Sequence, residues 1–247
     1  MTTIHAQPAP LAPVASLLSL EKLAYESIKK AILSFQLIPG EALVESELGR
    51  QLGISKTPVR DAFSRLEKEG LVVKYPYKGT AVSELNQQDL REIFELRAAL
   101  EGFAARQAAT QRSAADLAAL RDNLAHHQKA ASHQNLSEAE RCNRVFHKHI
   151  LDCAGNLRLA GILANLEDHL HRYRTLANYQ LGRMQKSVSE HELVLGALAA
   201  RDAAGAERAM RQHMLSVLDD LSAHDLAELI RLAHERSSER TSILGLE

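Results

Sequence analysis

The chain has 247 residues, with 30 Lys and Arg against 31 Asp and Glu and a formal net charge of −1. That length exceeds one small module and favours two domains, and the near-zero charge provides no global field for nucleic acid, so DNA binding must rest on a local patch. Trp is absent, Ala and Leu are heavily used, which favours helix, and no run of about 18 apolar residues exists to cross a membrane.

In chain order, residues 1–17 read as a flexible tail. No Lys or Arg precedes the apolar residues, and Pro8, Pro10 and Pro13 interrupt them, which makes a poor signal peptide. From Ser19 the residues Leu20, Leu23, Ala24, Ile28, Ala31, Ile32 and Phe35 recur at three- and four-residue spacing, the stripe of an amphipathic helix. Pro39-Gly40 ends it. A short helix over Glu45–Leu52 then stops at Gly53, which accepts the positive φ of a tight turn. Ser55 offers an N-cap hydroxyl and Pro58 sits in the first turn of the next helix, where no hydrogen bond is lost. That helix runs to Glu69 and closes at Gly70. Two apolar runs, Leu71–Tyr75 and Thr80–Val82, flank Pro76-Tyr77-Lys78-Gly79 as a hairpin tip. Helix, turn, helix and hairpin make a winged helix-turn-helix over 18–83, with its second helix narrow enough for a DNA major groove.

The run Ile38-Pro39-Gly40-Glu41, Leu52-Gly53-Ile54-Ser55-Lys56-Thr57-Pro58-Val59-Arg60-Asp61-Ala62 and Gly70-Leu71 resembles the DNA-binding domain of GntR-family bacterial transcription regulators, over nearly all of 20–82. The resemblance implies operator contacts from Arg50, Ser55, Lys56, Thr57, Arg60 and the wing pair Lys78-Gly79. Physical chemistry assigns matching roles: Arg60 can bind guanine or phosphate bidentately, and hydroxyls beside a helix N-terminus suit a phosphate. Family members usually have Arg where this chain has Lys56, which keeps the charge and removes the planar fork.

Ser83-Glu84-Leu85 reads as a linker, with Asn86 capping a helix. Residues 87–235 then read as an all-α bundle of six or seven helices, with N-caps at Ser113 and Ser137, a break at Gly155-Asn156 and others near Gly182–Ser189, Arg201-Asp202 and Ala223–Asp225. Residues 236–247 lose periodicity and are expected to fray. Cys142 and Cys153, the two cysteines, fall on one helix about 16 Å apart, too far for a disulfide, which fits a reduced, cytoplasmic setting.

Among twelve histidines the informative ones face inward. Asn143 and His147 lie one turn apart within the stripe Ala139, Cys142, Phe146, Ile150, Cys153, whereas His149 falls on the other side. His191 shares a face with Val194, Leu195 and Leu198, and His213 with Met210, Met214, Val217 and Leu221. One inward His is usually a core residue. Three from separate helices, with an amide oxygen, also suit a shared metal, and spacing leaves both readings open. Arg97 and Glu101, four apart on one stripe, either pair with each other or leave Arg97 for an anionic effector. His169, Arg172 and Arg174 read as surface or shoulder residues, and His126, His127, His133, His171, His224 and His234 carry no functional reading.

The segments Leu96-Arg97-Ala98-Ala99-Leu100-Glu101, Asn143-Arg144-Val145-Phe146-His147, Glu190-His191-Glu192-Leu193-Val194 and Ala209-Met210-Arg211-Gln212-His213 are similar to the C-terminal effector domain (FCD type) of the FadR subfamily, over about 87–223. The resemblance implies a divalent metal, zinc or nickel, held by Asn143, His147, His191 and His213, with Asn replacing the more usual Asp. Together these readings predict a ligand-responsive transcription regulator, expected to be a repressor. It is expected to bind a palindromic operator in double-stranded DNA as a homodimer, and to be controlled by a small carboxylate at the metal. A metal sensor without an organic effector is the alternative. A metalloenzyme is disfavoured because no carboxylate accompanies the histidines at recognisable spacing.

Overall fold

The computed structural model describes residues 15–177 and 182–243. Helix α1 (Ala15–Leu33), strand β1 (Ala42–Leu43), helices α2 (Glu45–Leu52) and α3 (Lys56–Lys68), and strands β2 (Val72–Tyr75) and β3 (Gly79–Val82) form the first unit. The strands make one antiparallel sheet in the order β1-β3-β2, with Ala42 opposite Ala81 and Val72 opposite Val82. β1 has two residues, too few for an alternating pattern to reveal it. Ala24, Ile28, Ile32, Val59, Phe63, Leu66, Leu71 and Val82 make the small core. Truncating one of its large side chains to Ala removes about 2–5 kcal/mol. Gly53 takes φ +67 and caps α2 in the left-handed region, which allows the sharp turn into α3.

Two members of the α1 stripe depart from it. Leu23 is exposed. Phe35, fully buried, packs into the other unit beside Leu90, Phe94, Tyr173 and Leu221, so it pins the end of α1 to the helical domain.

Seven helices follow among the described residues: α4 (Gln87–Gln111), α5 (Ala114–Ser132), α6 (Leu136–Ala154), α7 (Leu157–Ala177), α8 (Arg183–Ala199), α9 (Ala203–Ser222) and α10 (Leu226–Ile243). The starts are set by side chains that accept orphan amides. Asn86 accepts from Asp89 N–H, Ser113 and Asp116 form a reciprocal capping box, and Asp202 accepts from Gly205 N–H. At α6 the cap is Asn135, which accepts from Glu138 N–H, and not Ser137, which lies inside the helix. Gly155 ends α6 at φ +63, and Asn156 caps α7. The break expected over Gly182–Ser189 closes at Gly182, since α8 runs unbroken from Arg183 past Ser189. The helix at the C-terminus continues to Ile243, beyond the boundary expected at 235, and the N-terminal helix starts at Ala15, inside the expected tail. Residues 1–14 of that tail and 244–247 lie outside the described residues.

The bundle core collects the inward faces of α4, α5, α6, α8 and α9, including Ala98, Ala105, Leu120, Phe146, Val194 and Met210. No described helix is long and apolar enough to cross a membrane.

Candidate metal centre and nucleic-acid interface

Arg50, Ser55, Lys56, Thr57, Arg60, Lys78 and Gly79 are all exposed. Ser55 occupies the N-cap position of α3 with extended backbone, yet its hydroxyl caps nothing. The hydroxyl and the first amides of α3 therefore remain as donors at a positive helix end. Arg60 is held by Glu45 through paired contacts of 3.0 and 2.7 Å, and Arg50 by Glu47 at 2.6 Å. Arg60's contact lowers the pKa of Glu45. The wing tip projects Tyr77, fully exposed at φ +64, beside Lys78.

In the helical domain, α6, α8 and α9 each turn one imidazole to a common point. The Nε2 atoms of His147, His191 and His213 form a triangle whose three edges are each 3.2 Å. Three nitrogens bound to one ion at about 2.0–2.1 Å would lie roughly 2.9 Å apart at right angles and 3.4 Å apart at tetrahedral angles. The observed edges fall between those limits.

The protonation pattern makes the triangle costly without a cation. Nδ1 of His147 lies 2.5 Å from Glu101 Oε2, and Nδ1 of His213 lies 2.6 Å from Glu190 Oε2. Each carboxylate accepts from an Nδ1–H, which leaves both Nε2 atoms as bare lone pairs directed at one another. His191 has a single Nε2 proton at most and cannot satisfy both. Its own Nδ1 has no partner among the described residues, and its ring is held by stacking on Phe146, with centroids 4.1 Å apart. A divalent cation at the centre would accept all three lone pairs. Carboxylate-to-imidazole contacts of this kind orient metal ligands and raise their basicity.

Electrostatics follow the same pattern. Burial works against ionised Glu101, but the charge of Arg97 and the hydrogen bonds from His147 and Arg97 outweigh it and hold its pKa below the ordinary carboxylate range. Burial likewise opposes ionisation of Glu190, yet the hydrogen bonds from His213 and Arg183 bring it to about 2. Burial, partly offset by Glu190, lowers His213 to about 4, and burial with the neighbouring imidazoles lowers His191 well below its usual value. Burial at the site thus favours neutral His191 and His213. Glu101 and Glu190 correct the expectation that no carboxylate accompanies the histidines. Glu190 directly precedes His191 in the sequence but serves His213, a pairing that only helix packing makes. His127, assigned no role from sequence, is buried with its ring 5.4 Å from His191.

The profile of the bacterial regulatory proteins of the gntR family matches residues 20–82, and that of the FCD domain matches 92–216. The chain belongs to the GntR family. Its helical part is an FCD domain. Over 212 residues it is 27% identical to HTH-type transcriptional regulator YdhC of Bacillus subtilis, covering 85% of this chain and 91% of that one. It is 25% identical over 219 residues to the HTH-type transcriptional repressor RspR of Escherichia coli, covering 89% and 93%. Among solved structures, E. coli McbR/YncC superposes with a TM-score of 0.67 at 25% identity, covering 83% of this chain and 97% of that one. This GntR protein is therefore a DNA-binding transcriptional regulator and not an enzyme.

Two cavities meet at His147 of the FCD domain. One, about 30 Å³, is lined by Asn143, His147, His213, His127 and Arg97, room for an ion and little more. Asn143 therefore lines the same small space as His147 and His213. The other, about 730 Å³, shares Arg97, His147 and Arg174 and extends along α6 and α7 past Ile150 and Leu163. Arg97 pairs with Glu101 at 2.6 Å, nearly fully buried, and it also lines both cavities.

Helix α7 joins this space to the winged domain, contrary to the shoulder role expected of its basic residues. Arg174 is buried, lines both cavities and pairs with Glu167. Arg172 is fully buried and donates to the Ser83 carbonyl at 2.6 Å, while its Nε and Nη1 have no partner among the described residues. His169 Nε2 donates to the Glu69 carbonyl at 2.9 Å, just beyond α3. Gly70 makes that approach possible: it has φ +71, and a Cβ there would sit 2.9 Å from His169 Nε2.

Proposed function

We propose that this GntR regulator binds a palindromic operator as a homodimer and releases or tightens it according to what occupies the FCD cavity. A divalent metal ion, zinc or nickel by its nitrogen donors, would be held by His147, His191 and His213 with Asn143 as a fourth donor. When bound, it supplies open coordination positions that a small carboxylate effector can fill. The single observation that supports this reading is the 3.2 Å triangle of Nε2 atoms backed by Glu101 and Glu190. A core packed for stability alone would not aim lone pairs at each other.

Dimerisation follows from the geometry of DNA, because two recognition helices about 34 Å apart read two half-sites and bind far more tightly than one. Leu96 and Phe103, seven residues apart on one face of α4, are exposed and apolar, as a subunit contact requires. Ligand at the FCD cavity would shift α7, and α7 touches the carbonyls of Glu69 and Ser83. Binding energy at one site thereby becomes coupling energy at the other.

The test pairs elemental analysis with footprinting. Purified protein should hold zinc or nickel, and His213→Ala should hold about one ion per chain fewer. Arg60→Ala should abolish the footprint while the thermal shift with metal persists. Protein that takes up no metal and shows no shift would end the metal reading, and a normal footprint from Arg60→Ala would end the placement of the recognition helix. The small size of the 30 Å³ space favours one second reading, a sensor of metal alone. DNA release by metal in buffer free of organic acids would select it.

A further inference from the structure

A second group of unlike donors lies on the opposite side of α6. Asp116, on the first turn of α5, places Oδ1 3.2 Å from His149 Nε2. Cys153 follows His149 by four residues and shares its face of α6, which corrects the stripe expected from the sequence, where Cys153 stood with His147 and apart from His149. The three donor atoms all lie within 4.8 Å of one another, and each residue is half-buried. None of them belongs to the inner trio. His149 is two residues past His147, a rotation of about 200° around the helix.

The Asp116 carboxylate is prepared for a monodentate role. Its Oδ2 accepts from both Ser113 N–H at 2.8 Å and Ser113 Oγ–H at 2.7 Å. Those bonds fix the plane of the carboxylate and leave Oδ1 turned toward α6, the same device of outer hydrogen bonds that orients ligands in metal sites. Cys153 is a free thiol, and its proton is poorly placed for loss without a cation. Burial, followed by the neighbouring carboxylate of Asp116, pushes its pKa up to about 11. A divalent ion beside it would reverse that balance, since a coordinated thiol gives up its proton.

We infer that Asp116, His149 and Cys153 form a second divalent-metal site, distinct from the His147–His191–His213 centre and selective for a borderline-soft cation such as zinc or cobalt(II). One oxygen, one nitrogen and one sulfur donor leave a fourth position open to solvent, and bond lengths of about 2.0–2.3 Å require the thiol to move in by at most about 1 Å, within reach of a side-chain rotation. The bonding step converts Cys153–SH and the free ion to the thiolate complex, with one proton released to water. Two anionic donors and one neutral imidazole cancel the charge of the ion. Occupancy ties the N-terminus of α5 to α6, the helix that also carries Asn143 and His147.

Cobalt(II) titration of the full chain tests this independently of the inner centre, which contains no sulfur. Bound cobalt should give the near-ultraviolet sulfur-to-cobalt charge-transfer absorption in the wild type. The band should persist in His213→Ala and vanish in Cys153→Ser. Zinc should also slow alkylation of Cys153 by iodoacetamide by about tenfold or more, read by peptide mass, with no protection in His149→Ala. Cys142, buried and against Glu138, is the internal control. Absence of the band at saturating cobalt, its survival in Cys153→Ser, or alkylation of Cys153 at the same rate with and without zinc would each overturn the site.

Discussion

The Nε2 of His169 lies 2.9 Å from the backbone oxygen of Glu69, so a side chain of the FCD domain touches the end of the recognition helix. The same helix, α7, carries Arg174 into the cavities beside the histidine trio. One rigid element therefore contacts both the sensing space and the DNA-reading unit. Substituting His169→Ala should leave metal affinity unchanged while reducing the effect of metal on operator affinity. A neutral hydrogen bond is worth about 1 kcal/mol, a roughly fivefold loss of coupling. Operator titrations with and without metal measure it. Undiminished coupling would show that α7 does not carry the signal through this contact.

Glu101 and Glu190 should matter to metal binding although neither is a ligand. Glu101→Gln and Glu190→Gln keep the shape but weaken the hold on each Nδ1–H. Each should lower metal affinity by about 10–100-fold, measured by competition against a chelator. Circular dichroism would verify the fold, because Arg97 and Arg183 lose a charged partner in these variants. Affinities within twofold of wild type would show that the two carboxylates do not tune the metal site.

The metal-free protein should lose stability as pH falls from about 6.5 to 4. Burial lowers both His127 and His213 from 6.5 to about 4. Over that window the unfolded chain binds protons that the folded chain refuses, so stability is complete above 6.5 and declines toward 4. Thermal melts of chelator-treated protein should show a fall of roughly 5 °C or more across the window, beyond that of His127→Phe. A flat profile would mean that these imidazoles are not held neutral.

Arg60 must leave Glu45 before it can reach DNA. Glu45→Gln removes the carboxylate charge that holds it and should raise non-specific DNA affinity, with a salt dependence steeper by about one unit of log–log slope. Arg60→Ala should instead cost about 1–3 kcal/mol at the operator base it reads. Fluorescence anisotropy over a salt series separates the two. An unchanged slope in Glu45→Gln would mean that Arg60 does not contact phosphate.

Short-range chemistry accounts for what was legible in the sequence. Gly53, Pro58 and Gly70 punctuate the winged unit through preferences of single residues and their neighbours. Helical periodicity alone turned His147, His191 and His213 to inner faces, because the 3.6-residue repeat fixes a face without reference to other helices. Errors arose where two local options were close in energy. Asn135 rather than Ser137 caps α6, and the two-residue β1 has no pattern to read.

What the sequence by itself determined is therefore the DNA-reading unit, the all-α second domain and the inward direction of three imidazoles. Tertiary structure alone decided that those imidazoles meet, that Glu101 and Glu190 serve them, that Arg172 and Arg174 are buried, and that Phe35 leaves its own domain. The physical reason is that each of these depends on the register and rotation of one helix against another. Those quantities are set by the sum of many contacts between distant segments, and no local run of residues encodes them.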